Sequence, residues 1–458
     1  MPYRPPESEK VELESYLSSN LSRMLTAHLG RDVRFDHFEI SSPPQTSLNS
    51  HLFLIDVGYT ETVAQTQGDM RIFLKQPRAS GEATGLDRVR DKRRDLLSYE
   101  TSRLRHSYEL GCNTPLVIVR DGGRIFMEFV AGRKLQTLLY DDIDSGVDQV
   151  ILLDKVMAQL AGTHNRWKQN FALFSDFISS GRRRDYARQF TASFNRCFRV
   201  RNGGEDPLSN AEVNAVIGVF NESGLSRVID GYDENLIHGD LHPGQVIIDE
   251  EGNSYFIDLG RFGQGSALLD VSSILFSPFV NLDRRGKLHV AESYKDKRIL
   301  AKDKEKFSDS LFTMEILWSM IAASHTYSLV HDPRNHQVSE AYREEHRLEL
   351  SELFRSRGGD VSNNEEDFGS TKLLETFPDW YMWNAFMAVD YVVTNEIGPS
   401  ETSVLGDILS RYVDDRNPFQ DLVDFRLDQT NDSNVGGNGH DSEGPKKKVK
   451  LEPSGALV

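Results

Sequence analysis

Two aspartates bracket a short apolar hairpin in the middle of the chain, and no other feature narrows the possible folds as much. In LIHGDLHPGQVIIDEEGNSYFIDLGRFGQGSALLD, residues 236–270, the runs VIID and SYFID have strand composition and EEGN between them is a turn. A hairpin returns the chain on itself. Asp240, in the loop before the first strand, is thereby brought near Asp258 at the end of the second, and Gln245 shares the loop of Asp240. One carboxylate to accept a proton, beside two oxygen donors for a hard cation, is what phosphoryl transfer requires.

The pattern around this hairpin changes along the chain. Residues 8–29 place Val11, Leu13, Leu17, Leu21, Met24 and Leu25 at helical spacing, and Gly30 follows as a stop. Strand-like runs come next at 33–40, 52–57 and 70–75, then a charged helix over about Asp87–Leu110, then LVIVR and RIFMEFV on either side of the turn DGG. Strands, one helix and two more strands describe a small antiparallel sheet with a helix against it. After Gly132 helical periodicity dominates, from about Leu135 to Leu225 and again from about Ser308 to Val413, with the hairpin between.

At residues 236–270 the chain resembles the aminoglycoside phosphotransferase and choline kinase-like superfamily, relatives of protein kinases. The family loop H-G-D-x-x-x-x-N is matched by His238-Gly239-Asp240 and, at the last position, Gln245. Its second motif is matched by Ile257-Asp258, Gly265 and Asp270. The resemblance implies that Asp240 is the catalytic base and that Gln245 and Asp258 hold Mg2+. Gln245 departs from the usual Asn by one methylene but presents the same amide oxygen. His238 and His242 read as loop-holding residues, and Asp270 as a buried anchor that accepts backbone N–H bonds.

The same resemblance assigns an ATP cradle to the first part of the chain. Lys75, ending MRIFLK, matches the strand lysine that contacts the α- and β-phosphates, and Glu100 on the charged helix is its partner, with Glu109 and Asp95 as rivals. The order strand Lys, helix Glu, hinge, catalytic loop and metal Asp gives these residues their weight. MEFVAG, 127–132, matches the hinge, where backbone around Glu128 and Val130 would pair with adenine. No G-x-G-x-x-G is present; the turn over the phosphates is assigned to SSPPQTSLNS, with Ser47, Asn49 and Ser50. His164 in LAGTHN reads as a packing residue.

The implied fold is α+β, a two-lobed protein-kinase-like fold with a small antiparallel sheet N-lobe and a mainly helical C-lobe. Its expected parts are a helical extension over 1–35, an N-lobe over 36–130, a C-lobe over 131–426 and a disordered tail over 427–458. The tail is rich in Gly, Asn, Asp and Ser and cannot bury enough apolar surface to offset chain entropy.

The implied activity is transfer of phosphate from ATP, with Mg2+, to a hydroxyl of a small molecule such as a sugar, amino alcohol, aminoglycoside or macrolide-like compound. The helical region 308–415 sits where the superfamily builds its acceptor site. No activation segment for a peptide acceptor follows Asp258, which disfavours a protein kinase. A catalytically silent kinase-fold protein that binds a nucleotide or partner stays open, through Gln245 and the glycine-poor phosphate loop.

Charge and composition exclude other classes. A net charge of −17, from 70 acidic against 53 basic residues, disfavours binding to nucleic acid or an anionic membrane. Two cysteines, Cys112 and Cys197, without C-x-x-C spacing point to a reducing compartment rather than a disulfide framework. The expected location is cytoplasmic; the cluster Lys446–Lys450 in the tail is read as a solvated charge run, with a nuclear signal as its alternative.

Overall fold

Leucines spaced four apart put one continuous stripe on the first helix, α1 (Glu7–Leu29), and Leu13, Leu17, Leu21 and Leu25 on it are all fully buried. Gly30 ends the helix in a left-handed conformation, φ 68°, with its N–H on the carbonyl of Thr26. The structure is a computed structural model that describes residues 7–42, 50–77, 87–121, 123–141, 146–177, 184–201, 208–221, 224–230, 234–298, 306–331, 371–397, 399–411 and 413. The tail and its lysine cluster lie outside the described residues.

The stripe of α1 packs on a five-stranded antiparallel sheet. Its strands are β1 (Val33–Ser41), β2 (Ser50–Glu61), β3 (Gln67–Pro77), β4 (Val117–Asp121) and β5 (Arg124–Glu128), in the order β1-β2-β3-β5-β4. Period-2 alternation gives the sheet two apolar faces. Phe53, Ile55, Val57, Ile72, Leu74 and Phe126 join the leucines of α1, whereas Phe73, Ile125 and Met127 join Leu97 and Leu104 of α2 (Asp87–Glu109). The N-lobe sheet is therefore covered by a helix on each side. Each buried leucine of α1 contributes roughly 1.5–3 kcal/mol, so the helix belongs to the core of this lobe.

The chain leaves β5 and makes a two-residue strand, β6 (Arg133–Lys134), before α3 (Leu135–Asp141). Gly132 between them has φ 156°, and a Cβ there would lie 2.3 Å from the carbonyl oxygen of Ile248. Only glycine allows this close approach of two backbones. The C-lobe then follows with α4 (Gly146–Gln169), α5 (Tyr186–Arg201), α6 (Asn210–Phe220) and α7 (Leu225–Asp230). Next come β7 (Glu234–Ile237), β8 (Val246–Ile248), β9 (Ser254–Phe256) and β10 (Gly263–Ser266). Helices α8 (Leu268–Leu275), α9 (Arg284–Lys297), α10 (Phe307–His331), α11 (Thr371–Thr394) and α12 (Thr402–Leu409) complete it.

The expected hairpin is present, with Val246 opposite Phe256 and Ile248 opposite Ser254. Strand β6 extends it to three strands, and β7 pairs with β10 in a separate ribbon. One large apolar core holds the C-lobe helices together. The architecture is thus an α+β fold with an antiparallel sheet lobe followed by a mainly helical lobe.

One acid sits inside the helical core. Glu315 on α10 is 3% exposed, lies 3.6 Å from Nη2 of Arg284 on α9, and its Oε2 has no hydrogen bond among the described residues. Burial, the largest influence, pushes its carboxyl up to about 7, against the attraction of Arg284 and Lys287. The fold thus favours the protonated acid. Its contribution is fully present below the ordinary value of 4.5 and is lost as pH rises through about 7. Glu315→Gln, neutral at every pH, is expected to be more stable than wild type near pH 8 by on the order of 1–3 kcal/mol, an advantage gone by about pH 5. Urea titrations at the two pH values check this, and equal differences at both would refute it.

Candidate active site

The loop that carries Asp240 is held from below by a buried carboxylate. Asp270, in the first turn of α8, accepts the backbone N–H of His238 at 2.7 Å and of Gly239 at 2.8 Å. It also bonds Nε2 of His164 on α4 at 3.1 Å, and the other ring nitrogen of His164 meets the hydroxyl of Tyr294 at 2.7 Å. Burial works against the charge of Asp270, but the bond and charge of His164 and the N–H of Gly239 hold its pKa below the ordinary range. The side chain of His238 points the other way, donating from Nε2 to the carbonyl of Ile257 at 2.7 Å.

Gly239 takes φ 81°, and a Cβ there would come within 2.6 Å of the carbonyl oxygen of Arg261. The half-exposed carboxylate of Asp240 follows directly, with Nε of Arg261 at 3.4 Å. Nη2 of Arg184 donates to the carbonyls of Gly239 at 3.3 Å and Arg261 at 3.0 Å, tying the loop to the segment after Asp258.

Gln245 closes a short 3-10 turn, Pro243–Gln245, which His242 caps by accepting the N–H of Gly244 at 3.2 Å. The N–H of Ile257 donates to the carbonyl of Gln245 at 3.1 Å, so the β8–β9 ladder begins at this pair and sets Gln245 beside the residue preceding Asp258. Asp258 itself is left-handed, φ 63° and ψ 63°. Such a conformation costs a non-glycine residue on the order of 1 kcal/mol or more, least for Asp and Asn, and persists where neighbours impose it. Here Lys75 and the N–H of Gly260 hold the Asp258 carboxylate, and Arg103 on α2 braces the peptides that follow. Its buried guanidinium donates to the carbonyls of Leu259 at 3.0 Å and Gly260 at 3.1 Å.

Lys75 on β3 brings the two lobes together. Its Nζ donates to Glu100 at 2.9 and 3.1 Å and to Oδ1 of Asp258 at 2.9 Å. Of the rival partners, Glu109 bonds His106 at 3.3 Å instead, and the side chain of Asp95 lies outside the described residues. The two carboxylates differ in setting: the Glu100 side chain is 4% exposed and that of Asp258 38%. Burial pushes the Glu100 carboxyl up to about 7 despite the opposing pull of Lys75. Burial also opposes ionisation of Asp258, but attraction and hydrogen bonding by Lys75 outweigh it and hold that carboxyl at about 2. Around Lys75 the same attractions outweigh burial, so its ammonium is held more firmly than usual.

The hinge differs in one respect from the expectation that Glu128 and Val130 offer their backbone to adenine. The N–H of Glu128 donates to the carbonyl of Leu116 at 2.9 Å and that of Phe129 to Arg71 at 3.1 Å, so a ligand at Glu128 can use only its carbonyl. Ser47 and Asn49, assigned to the phosphate turn, lie outside the described residues.

Three arginines at this site went unnoticed in the sequence. Arg103 had a usable signal, being three positions past Glu100 on the same helical face. Arg184 and Arg261 lie in short connections and had none.

The donor chemistry fits a magnesium ion. Among the described residues no group of three or more His, Cys, Asp or Glu side chains could hold a metal. Gln245 and Asp258 instead offer one amide and one carboxylate oxygen, and Mg2+ characteristically takes one or two protein oxygens and completes its shell with water and phosphate.

No curated protein matches the chain. Among solved structures, the gentamicin complex of APH(2")-IIa aligns with a TM-score of 0.44 and 15% identity, over 74% of this chain and 95% of that one. Choline kinase from Cryptosporidium parvum Iowa II aligns with a TM-score of 0.42 and 9% identity, over 70% and 90% of the two chains. Macrolide 2'-phosphotransferase MphH from Brachybacterium faecium gives a TM-score of 0.41 and 14% identity, over 70% and 97%. The family comparison is more direct. Residues 55–298, more than half of the 458, match the phosphotransferase enzyme family APH, a stretch that includes Lys75, Glu100, Asp240, Gln245 and Asp258, and the chain belongs to that family.

Proposed function

We propose that this phosphotransferase moves the γ-phosphoryl group of ATP onto a hydroxyl of a small molecule, with Asp240 as the base. The observation that carries the reading is the ammonium of Lys75, bonded at once to Glu100 of the N-lobe and Asp258 of the C-lobe. That cluster puts a fixed cation and an ionised carboxylate at the junction of the lobes, where a nucleotide triphosphate would lie. The hinge carbonyl of Glu128 and the backbone of Val130 take the adenine in this reading, and Ser47 and Asn49 belong to the turn over the phosphates.

Asp240 orients the acceptor hydroxyl and takes its proton as the oxygen bonds to the γ-phosphorus. The bond from that phosphorus to the β–γ bridging oxygen breaks, and ADP leaves with the electron pair. Gln245 and Asp258 hold Mg2+, which when bound neutralises charge on the phosphate oxygens. Lys75 is kept forward by Glu100 for the α- and β-phosphates. The acceptor is a compact hydroxylated compound such as a sugar, amino alcohol, aminoglycoside or macrolide, walled by the helices α10 and α11.

Among the described residues no helix is long and apolar enough to cross a membrane, and Cys112 and Cys197 are buried free thiols. Buried free thiols agree with work in the reducing cytoplasm. Purified protein with Mg-ATP is expected to phosphorylate at least one member of a panel of sugars, amino alcohols and aminoglycosides, and to leave generic protein substrates unlabelled. Mass spectrometry of the products tests this. Labelled protein serine or threonine without a small-molecule product would overturn it. ATP binding without any transfer would favour a silent nucleotide-binding role.

A further inference from the structure

Strand β5 leads into the hinge, and α1 grips it along its whole length. Alternation turns Ile125 and Met127 towards α2 and leaves Arg124, Phe126 and Glu128 facing α1. All three are engaged. At the start of the strand Nη2 of Arg124 donates to Glu12 at 2.6 Å, and its guanidinium lies 4.9 Å over the ring of Tyr16. In the middle Phe126 stacks on the same ring, with centroids 6.0 Å apart and planes at 17°. At the end His28, in the last turn of α1, bonds Oε1 of Glu128 through Nε2 at 3.0 Å.

The last contact is the informative one, because Glu128 is where the chain leaves the sheet for the other lobe. Its N–H and that of Phe129 are fixed by Leu116 and Arg71, and its side chain is fixed by His28. The His28 side chain is 10% exposed, so the bond is formed away from bulk water on one side. With three of its attachments made inside the lobe, the peptide that presents the Glu128 carbonyl has little freedom to turn. A hydrogen-bonding edge for a flat base gains affinity when it is held in place before the ligand arrives.

We propose that α1 is a splint for the nucleotide hinge and that His28 is a positioning residue for ATP, acting through Glu128. The proposal rests on the reading that the hinge binds adenine. It makes the first helix a support of the nucleotide site, acting through the strand that leads into the hinge.

Deleting α1 would strip the sheet of its apolar cover, so point variants are the suitable test. His28→Ala is expected to raise the KM for ATP about three- to fivefold, as the loss of one partly exposed hydrogen bond allows, with kcat and the thermal midpoint close to wild type. His28→Gln, which can still donate to the carboxylate, is expected to recover part of that loss. Glu128→Gln combined with His28→Ala is expected to raise KM by less than the product of the two single effects, since both break one contact. Direct titration with ATP accompanies the kinetics. Wild type that binds no ATP overturns the phosphotransferase reading and the splint together. Wild type that binds ATP, with His28→Ala unchanged in KM or with kcat and stability falling alongside a rise in KM, overturns the splint alone.

Discussion

Asp240→Asn is expected to lower kcat by roughly 10²–10⁴-fold or more, the range for loss of a general base, while ATP binds as in wild type. The substitution keeps the size of the side chain and can still accept a hydrogen bond, but it has no basic oxygen to take the hydroxyl proton. It leaves the scaffold alone. Asp240 is half-exposed and its neighbour Arg261 stands 3.4 Å away on a side chain that is itself largely in solvent. The thermal midpoint should therefore hardly move. Turnover near the wild-type rate, measured with an acceptor found in the panel, would remove Asp240 from the role of base.

The second large effect lies one layer below. Asp270→Ala removes a fully buried acceptor and leaves two backbone N–H groups and His164 without their partner. Each stranded donor costs about 1–3 kcal/mol, and breaking a buried charged network costs about 3–5 kcal/mol as a whole. Loss of about that much stability is expected in a urea titration, with turnover reduced far below the fraction that remains folded because the His238–Asp240 loop is no longer pinned. Asp270→Asn keeps one acceptor oxygen and should fall between. A change in stability below about 1 kcal/mol for the alanine variant would contradict the role assigned to this carboxylate.

What was legible in the sequence was whatever repeats at the period of its own secondary structure. The leucines of α1 and the hairpin of β8 and β9 each carry the apolar spacing that their burial demands. The strand lysine and the helix glutamate could be paired on paper because the two flanking elements were already evident. Other parts carry no such period. Strand β10 reads GQGS and β6 reads Arg-Lys, with no apolar side chain to mark either as a strand; pairing with β7 and β8 makes them so. The clasp of α1 on β5 was equally invisible, since Glu12, His28, Arg124 and Glu128 have the composition of a solvent-facing surface. Buried arginines are the hardest case. Spacing puts Arg103 on the face of Glu100, but only the tertiary position of Leu259 and Gly260 gives it carbonyls to bind.

Glu100 and Asp258 share the ammonium of Lys75, and the guanidinium of Arg103 acts on Glu100 as a second cation. Burial nevertheless pushes the Glu100 carboxyl up to about 7. Asp258, on the other side of the same ammonium, is held at about 2 and keeps its charge. The two carboxylates on one ammonium thus titrate in different ranges, so the charge at the junction of the lobes changes with the protonation of Glu100 near neutral pH.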